Sequence, residues 1–146
     1  MTPVIRLATE ADAESCERLE LEAQGSTAGA RGAAALFAEQ PDGVLPNNEH
    51  GFTLVATIDD VVVGMASLRV ALVQEQRIAT VVRVFVTAAA RQVGVGDALI
   101  HASKDAARQR GCVRIDALAL PGDRETKNLY ERNGLTARLI VATNNL

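Results

Sequence analysis

Aromatic residues are scarce in this chain, with no tryptophan, one tyrosine and three phenylalanines among 146 residues. A core must therefore rest on Val, Leu, Ile and Ala, and any aromatic group outside it draws attention. Cysteine is also rare. Cys16 and Cys112 stand alone, with no Cys-x-x-Cys and no Cys/His pair at metal spacing, so no metal site is expected. Both thiols read as small buried hydrophobes in a reducing compartment. An excess of positive charge is missing too. The net charge of −3 argues against a broad basic surface for nucleic acid, while leaving room for a local basic pocket. No apolar run approaches the roughly 18 residues of a membrane helix, so no membrane span is expected. The opening "MTPVIRLATEADAE" has neither the cationic nor the apolar region of a secretory signal. The expected location is the cytoplasm.

With 48% apolar and 23% charged residues, the composition is that of a soluble globular protein. No internal repeat, linker or composition shift marks a boundary, so one domain over residues 1–146 is expected. "VIRLAT" (Val4 to Thr9) reads as a strand, and "TEAD" as a capping box with Thr9 as N-cap. A helix to about Glu22 follows, with Ala13, Cys16, Leu19 and Ala23 near one face and "QGSTAGARG" as its break. A short helix spans Ala33 to Glu39, and "PDGVLPNNEHG" (Pro41 to Gly51) is a long loop. Phe52 to Val73 reads as a hairpin turning at Asp59 and Asp60, with a bulge at Gly64. Ile78 to Val86 completes an antiparallel meander. A helix from Val95 to Gln109, a strand from Cys112 to Leu120, a helix from Arg124 to Arg132 and a last strand near Ala137 to Ala142 complete the order. The class is α+β with one late crossover.

The stretch "RQVGVGDA" (Arg91 to Ala98) sits where a strand hands over to a helix. Backbone N–H groups at a helix start lack intrahelical partners, and the helix dipole adds about half a positive charge. Glycines at 94 and 96 and a cation at 91 suit such a turn to phosphate or pyrophosphate. A plain tight turn needing positive φ is the structural alternative. A dinucleotide fingerprint is excluded because position 99 is Leu and the preceding elements are a meander. A P-loop is excluded by the absence of Gly-Lys-Ser/Thr.

"VRVFVTAAARQVGVGDALI" resembles motif A of the GNAT N-acetyltransferase superfamily, whose Arg/Gln-x-x-Gly-x-Gly/Ala loop wraps the pyrophosphate of coenzyme A. "GDRETKNLYERNGL" (Gly122 to Leu135) resembles that family's motif B, N-x-x-A-x-x-L-Y-E-x-x-G-F. Leu129, Tyr130, Glu131 and Gly134 match. Asp123 stands where Asn is usual, Thr126 where Ala is, and Leu135 where Phe is. The resemblance implies a GNAT-like fold: a mixed central sheet with an antiparallel N-terminal meander and helices on both faces. It implies acetyl-coenzyme A as co-substrate, with no metal, and transfer of acetyl to a primary amine on a small molecule or protein. Val84, Phe85 and Val86 would align the pantetheine arm. Arg91, Gln92, Val93, Gly94, Val95, Gly96 and Asp97 would cradle the pyrophosphate, with the Asp97 carboxylate turned away. Asp123 and Asn128 are further cofactor contacts, and Arg124 and Lys127 candidates for the 3′-phosphate.

By the same resemblance Tyr130 donates the proton to the leaving thiolate; a ring packed on the core is the structural alternative. Relatives often carry an acid on the meander strand as base. Arg77 to Val86 holds none, and Arg83 stands near that spot. The base is then a water relay or an acceptor-side group, with Glu22, Glu49 and His50 as candidates. His101 reads as a surface or helix-packing residue. Only twelve residues follow Gly134, enough for one strand or a very compressed pair where relatives often have a hairpin, so the acceptor site is expected to be open or to be completed by a partner subunit, as in a homodimer exchanging the last strand. The second function reading is an acyl-coenzyme A sensor with little catalytic activity. The identity of the acceptor is not encoded in a motif.

Overall fold

β-branched runs separated by short polar turns build the meander. A computed structural model of the chain describes residues 2–41 and 43–146. Strands β1 (Val4–Leu7), β2 (Gly51–Ile58), β3 (Val61–Val73), β4 (Gln76–Val86) and β5 (Cys112–Ala117) form one sheet in that order. The first four are antiparallel neighbours, and β5 runs parallel to β4. Both hairpin turns use two consecutive residues at positive φ: Asp59 and Asp60 at 50° and 63°, Gln74 and Glu75 at 51° and 67°. Such turns match the twist of the flanking strands.

Among the described residues four α-helices cover the two faces: α1 (Ala13–Thr27), α2 (Ala33–Glu39), α3 (Val95–Gln109) and α4 (Arg124–Arg132). The two-residue period of the strands sorts their side chains. Leu54, Ala56, Ala66, Leu68 and Val81 meet Val95 and Leu99 of α3 on one face. Val55 and Met65 meet Cys16 and Leu19 of α1 on the other. Leu19 and Leu99 are wholly buried, contributing about 1.5–3 kcal/mol each. Gly64 lets α3 lie close. A Cβ there would stand 3.2 Å from Leu99, from Val95 and from the Phe85 carbonyl. The β2–β3 ladder slips beside it, between Ala56 and Thr57, which leaves Val63 as the extra residue rather than Gly64.

Three sequence expectations change. Helix α1 does not end at Glu22 but continues through Gly25 to Thr27. Buried Cys16, Leu19, Glu20 and Ala23 hold it on the sheet, which outweighs the ~1 kcal/mol of an interior glycine. Ser26 and Thr27 hydroxyls donate back to the Ala23 carbonyl at 3.0 Å. Strand β5 stops at Ala117 rather than Leu120. The last strand near Ala137 to Ala142 does not form. Leu139, Ile140 and Val141 are 69–89% exposed, since strand propensity needs a partner edge. The Arg138 guanidinium instead pairs with Asp116 on β5 at 2.9 Å.

Candidate active site

The parallel ladder ends where Val81 meets Ala117, with one further bond from Leu118 N–H to the Val81 carbonyl at 3.1 Å. Beyond it β4 stays paired with β3 through Val86, while the chain after β5 turns away. A bulge assists the separation. Pairing steps from Leu68↔Val81 to Ser67↔Arg83 and leaves Val82 as an extra residue, which bends the strand. Two cavities open along the split, of about 470 and 780 Å³. They share Val84, Phe85, Arg91, Glu125 and Thr126, so they are continuous along β4.

The smaller cavity lies at the start of α3. Its walls include Val84, Phe85, Val86, Arg91, Gln92, Gly94, Val95, Gly96, Asp97 and Asn128. Val93 is 51% exposed and lines neither cavity. The two glycines serve different ends. Gly94 caps α3 at φ 83°, and a Cβ there would meet nothing within 4 Å. The constraint is the left-handed backbone, which Gln92 shares at φ 68°. A Cβ at Gly96 would reach Leu129 of α4 at 3.2 Å, so that glycine sets the approach of two helices. Arg91 is held in place by Nε donating to the Val86 carbonyl at 3.0 Å, and it lies over the Phe85 ring. The Asp97 carboxylate turns to Asn133 (2.7 Å) and Arg132 (3.0 Å) on the α4 side. Partial burial works against its charge, yet these two partners prevail and its pKa lies below the ordinary value. A free helix start, an arginine and a groove along β4 fit a diphosphate with an extended arm.

Two departures from motif B compensate one another. Asp123 caps α4 by accepting the Thr126 N–H at 3.1 Å, and the Thr126 hydroxyl donates to its second oxygen at 2.6 Å. Asp123 lines the larger cavity together with Tyr130. The Tyr130 ring is buried, and its hydroxyl donates to the Leu118 carbonyl at 2.9 Å, just past the last rung of the ladder. Burial first, and the Asp123 carboxylate second, push this phenol well above its usual range. It holds its proton at any physiological pH. Arg124 lines the larger cavity, and the Lys127 ammonium is spent on the Pro121 carbonyl at 2.9 Å; neither lines the cavity at α3.

The larger cavity runs from Tyr130 to α2. Its floor holds an ion pair that sequence reasoning missed. Arg83 Nε donates to both oxygens of Glu20 from α1, at 2.8 and 3.0 Å, with side chains 5% and 12% exposed. Arg83 also donates to the Gln40 carbonyl at 2.5 Å and lies 4.5 Å over the Phe37 ring. A Cβ at Gly43 would collide with the Glu20 carboxylate, and the Gly43 carbonyl accepts from Ser67 at 2.6 Å. The available signals were an arginine inside the run "TVVRVFV" and a glutamate on the apolar face of α1.

Of the candidate bases, Glu22 accepts from the Thr87 hydroxyl, one residue past the end of β4, at 2.9 Å and lines neither cavity. Glu49 and His50 lie elsewhere. They pair with each other at 3.3 Å on the surface, beside Asn47 and Asn48, which bind Arg110 at the far end of α3. Fifteen residues of helix put that end about 22 Å from the cradle. His101 is exposed and faces Asp105 at 3.6 Å. Among the described residues, no helix is long and apolar enough to cross a membrane.

The family model described as "Acetyltransferase (GNAT) family" matches residues 13–135. No curated protein matches the sequence. Solved structures do. A ribosomal-protein-alanine N-acetyltransferase from Brucella melitensis biovar Abortus 2308 superposes with TM-score 0.74 and 21% identity, over 100% of each chain. The aminoglycoside N-acetyltransferase AAC(6')-Iy in complex with CoA gives 0.71 and 18%, over 98% of this chain and 100% of that one. An aminoglycoside acetyltransferase, meta-AAC0020, from an uncultured soil metagenomic sample in complex with sisomicin gives 0.75 and 17%, over 99% and 95%. At these identities the likeness is one of fold.

Proposed function

We propose, from the premise that this chain belongs to the acetyltransferase (GNAT) family, that it transfers an acetyl group from acetyl-coenzyme A to a primary amine by direct attack. One domain over residues 1–146 would do so, in the cytoplasm, where both cysteines can stay free thiols. One observation carries the reading: a single split between β4 and β5 has an anion cradle on one side and the buried Tyr130 hydroxyl on the other.

Acetyl-coenzyme A supplies the acetyl thioester. The amides of Gln92 to Asp97 and the Arg91 guanidinium bind the diphosphate, and Asn128 and Asp123 flank the arm. Backbone N–H groups between Val84 and Val86 hold the arm and polarise the thioester carbonyl. The amine nitrogen bonds to the carbonyl carbon, the carbon–sulfur bond breaks, and the Tyr130 hydroxyl gives its proton to the sulfur. Glu22, oriented by Thr87, takes the surplus proton of the amine through water. Solvent then restores the proton of Tyr130.

A homodimer belongs to the proposal. In it the exposed residues 137–142 of each copy lie along the β5 edge of the other, covering Leu139, Ile140 and Val141. A monomeric mass in solution overturns that part alone.

Titration calorimetry with acetyl-coenzyme A, followed by thiol release over a panel of amines, tests the whole. Saturable binding and amine-dependent release are expected; no binding overturns it. The second reading, an acyl-coenzyme A sensor, is favoured by one observation: the β4 position that could hold a base is Arg83, tied to Glu20. Binding without thiol release from any amine would establish the sensor.

A further inference from the structure

The loop between α1 and α2 closes on the loop between β5 and α4. A Cβ on Gly122 would lie 3.9 Å from the Ala30 methyl, and one on Gly32 3.7 Å from a Leu120 methyl. Arg31 sits inside the first loop and Arg124 two residues past Gly122, so one mouth of the larger cavity carries a guanidinium on each lip. Both line that cavity, and among the described residues neither has an ion-pair partner.

The carboxylates of the same wall are already engaged. Both oxygens of Asp123 accept from Thr126, and Glu125 pairs with Arg91 at 3.4 Å. Arg83 is neutralised by Glu20 beneath the floor. The remaining wall is mainly apolar, with Ala23, Leu36, Phe37 and Leu118, and its Ser26 and Thr27 hydroxyls are spent on the Ala23 carbonyl. An acceptor with several ammonium groups would meet two unpaired guanidinium groups against one carboxylate, Asp123, whose oxygens already accept from Thr126. An amine that also bears a carboxylate would meet two planar forks suited to it.

The geometry points to an acceptor of amino-acid type: a primary amine carrying a carboxylate, which Arg31 and Arg124 hold at the mouth while the amine reaches the split beside Tyr130. Arg31 and Arg124 are then specificity-determining residues. This rests on the transferase reading above.

The test compares free amino acids with their carboxamides, alongside putrescine, spermidine and an aminoglycoside, by thiol release with the full chain and acetyl-coenzyme A. An amide's amine is less basic and so more often neutral, which favours the amide chemically. A preference for the acid must come from the protein. At least a tenfold higher kcat/KM for acids is expected. R31Q and R124Q should each raise the acceptor KM about tenfold while leaving the KM for the carboxamide unchanged, and R31Q should also leave the affinity for acetyl-coenzyme A unchanged. Equal or better use of carboxamides or polyamines overturns the inference and leaves the transferase reading standing. Acetyl-coenzyme A binding without turnover of any amine overturns both in favour of a sensor. No binding at all overturns both outright.

Discussion

The two cavities along β4 are built by opposite means. The smaller is centred on one stretch of chain: six of the seven residues from Arg91 to Asp97, all but Val93, with a positive φ at Gly94 and the free end of α3, set between β4 and α4. The larger is made of side chains from α1, α2, β4 and the start of α4, brought together only by folding. A site for a constant ligand can be encoded in one stretch. A site for a variable ligand is spread over many positions that can change one at a time. The difference also divides the chemistry, since backbone amides offer an anion one fixed geometry while side chains set shape and charge.

That contrast breaks most sharply at the floor of the larger cavity. Glu20→Ala leaves the Arg83 guanidinium buried without its anion. We expect a loss of about 3–5 kcal/mol in unfolding free energy by urea denaturation. A Glu20→Leu/Arg83→Met double variant should recover most of it, because an apolar pair of similar volume needs no counter-charge. If the single variant unfolds at the parent urea concentration, the pair does not support this wall, and its geometry rests on Phe37, Gln40 and Gly43 instead.

Tyr130 belongs to both halves, packed in the core yet lining the larger cavity. Tyr130→Phe keeps the ring and removes only the hydroxyl that holds the proton. Turnover should fall about 100-fold or more, while calorimetric affinity for acetyl-coenzyme A stays within about twofold. Unchanged turnover would return Tyr130 to a packing role. No fall is expected from deprotonation of Tyr130 across the neutral range, because burial holds the phenol protonated there.

The smaller cavity is sharpened by separating its glycines. Gly94→Val forces a β-branched residue to φ 83°, costing about 2 kcal/mol in local backbone energy. Acetyl-coenzyme A should then bind about 10- to 30-fold more weakly. Gly96→Val instead presses on Leu129 and should lower the melting temperature more than the affinity. Equal effects on both readouts in both variants would erase the distinction.

How much was legible follows the same division. Helix α3 was legible to the residue, because Gly94 before it and Gly111 after it are positions of positive φ that few other residues take. Asp123 announced α4 by another signal, a side chain that caps the helix by accepting the Thr126 N–H. The overrun of α1 past Gly25 was not legible, since burial of Glu20 and Ala23 against a sheet formed later in the chain decided it. The missing strand at residues 137–142 failed for the converse reason: its β-branched run has propensity, but the segment meets the open β5 edge only through the Arg138–Asp116 pair and forms no ladder with it. Glu49 and His50 looked usable because a long loop can lie anywhere; Arg110 holds it at the wrong end of α3. Arg83 was noticed as an obstacle, and its partner, the eighth residue of α1, was not, because no spacing links residue 20 to residue 83.

The smallest effect concerns how α1, which borders the larger cavity through Ala23, Ser26 and Thr27, is anchored at its start. Asp12 closes the turn before α1. It accepts the Thr9 N–H at 2.8 Å and two bonds from Arg6, at 2.7 and 2.9 Å. The Arg6 hydrogen bond, set against burial, lowers its pKa from 3.8 to about 2. A carboxylate with a depressed folded pKa stabilises the fold above its unfolded pKa, and that contribution is lost as pH falls through the folded value. The window is therefore pH 4 to 2, and the size about 1–2 kcal/mol once the exposure of Arg6 is allowed for. Asp12→Asn should lose this amount at pH 7 and show a correspondingly flatter fall of the urea midpoint between pH 4 and 2. Because α1 carries Glu20 and Glu22 while the cradle hangs on α3, the variant should weaken acceptor use before it weakens acetyl-coenzyme A binding. The reverse order would mean that the two cavities share one support, and that the division between backbone and side-chain construction does not extend to stability.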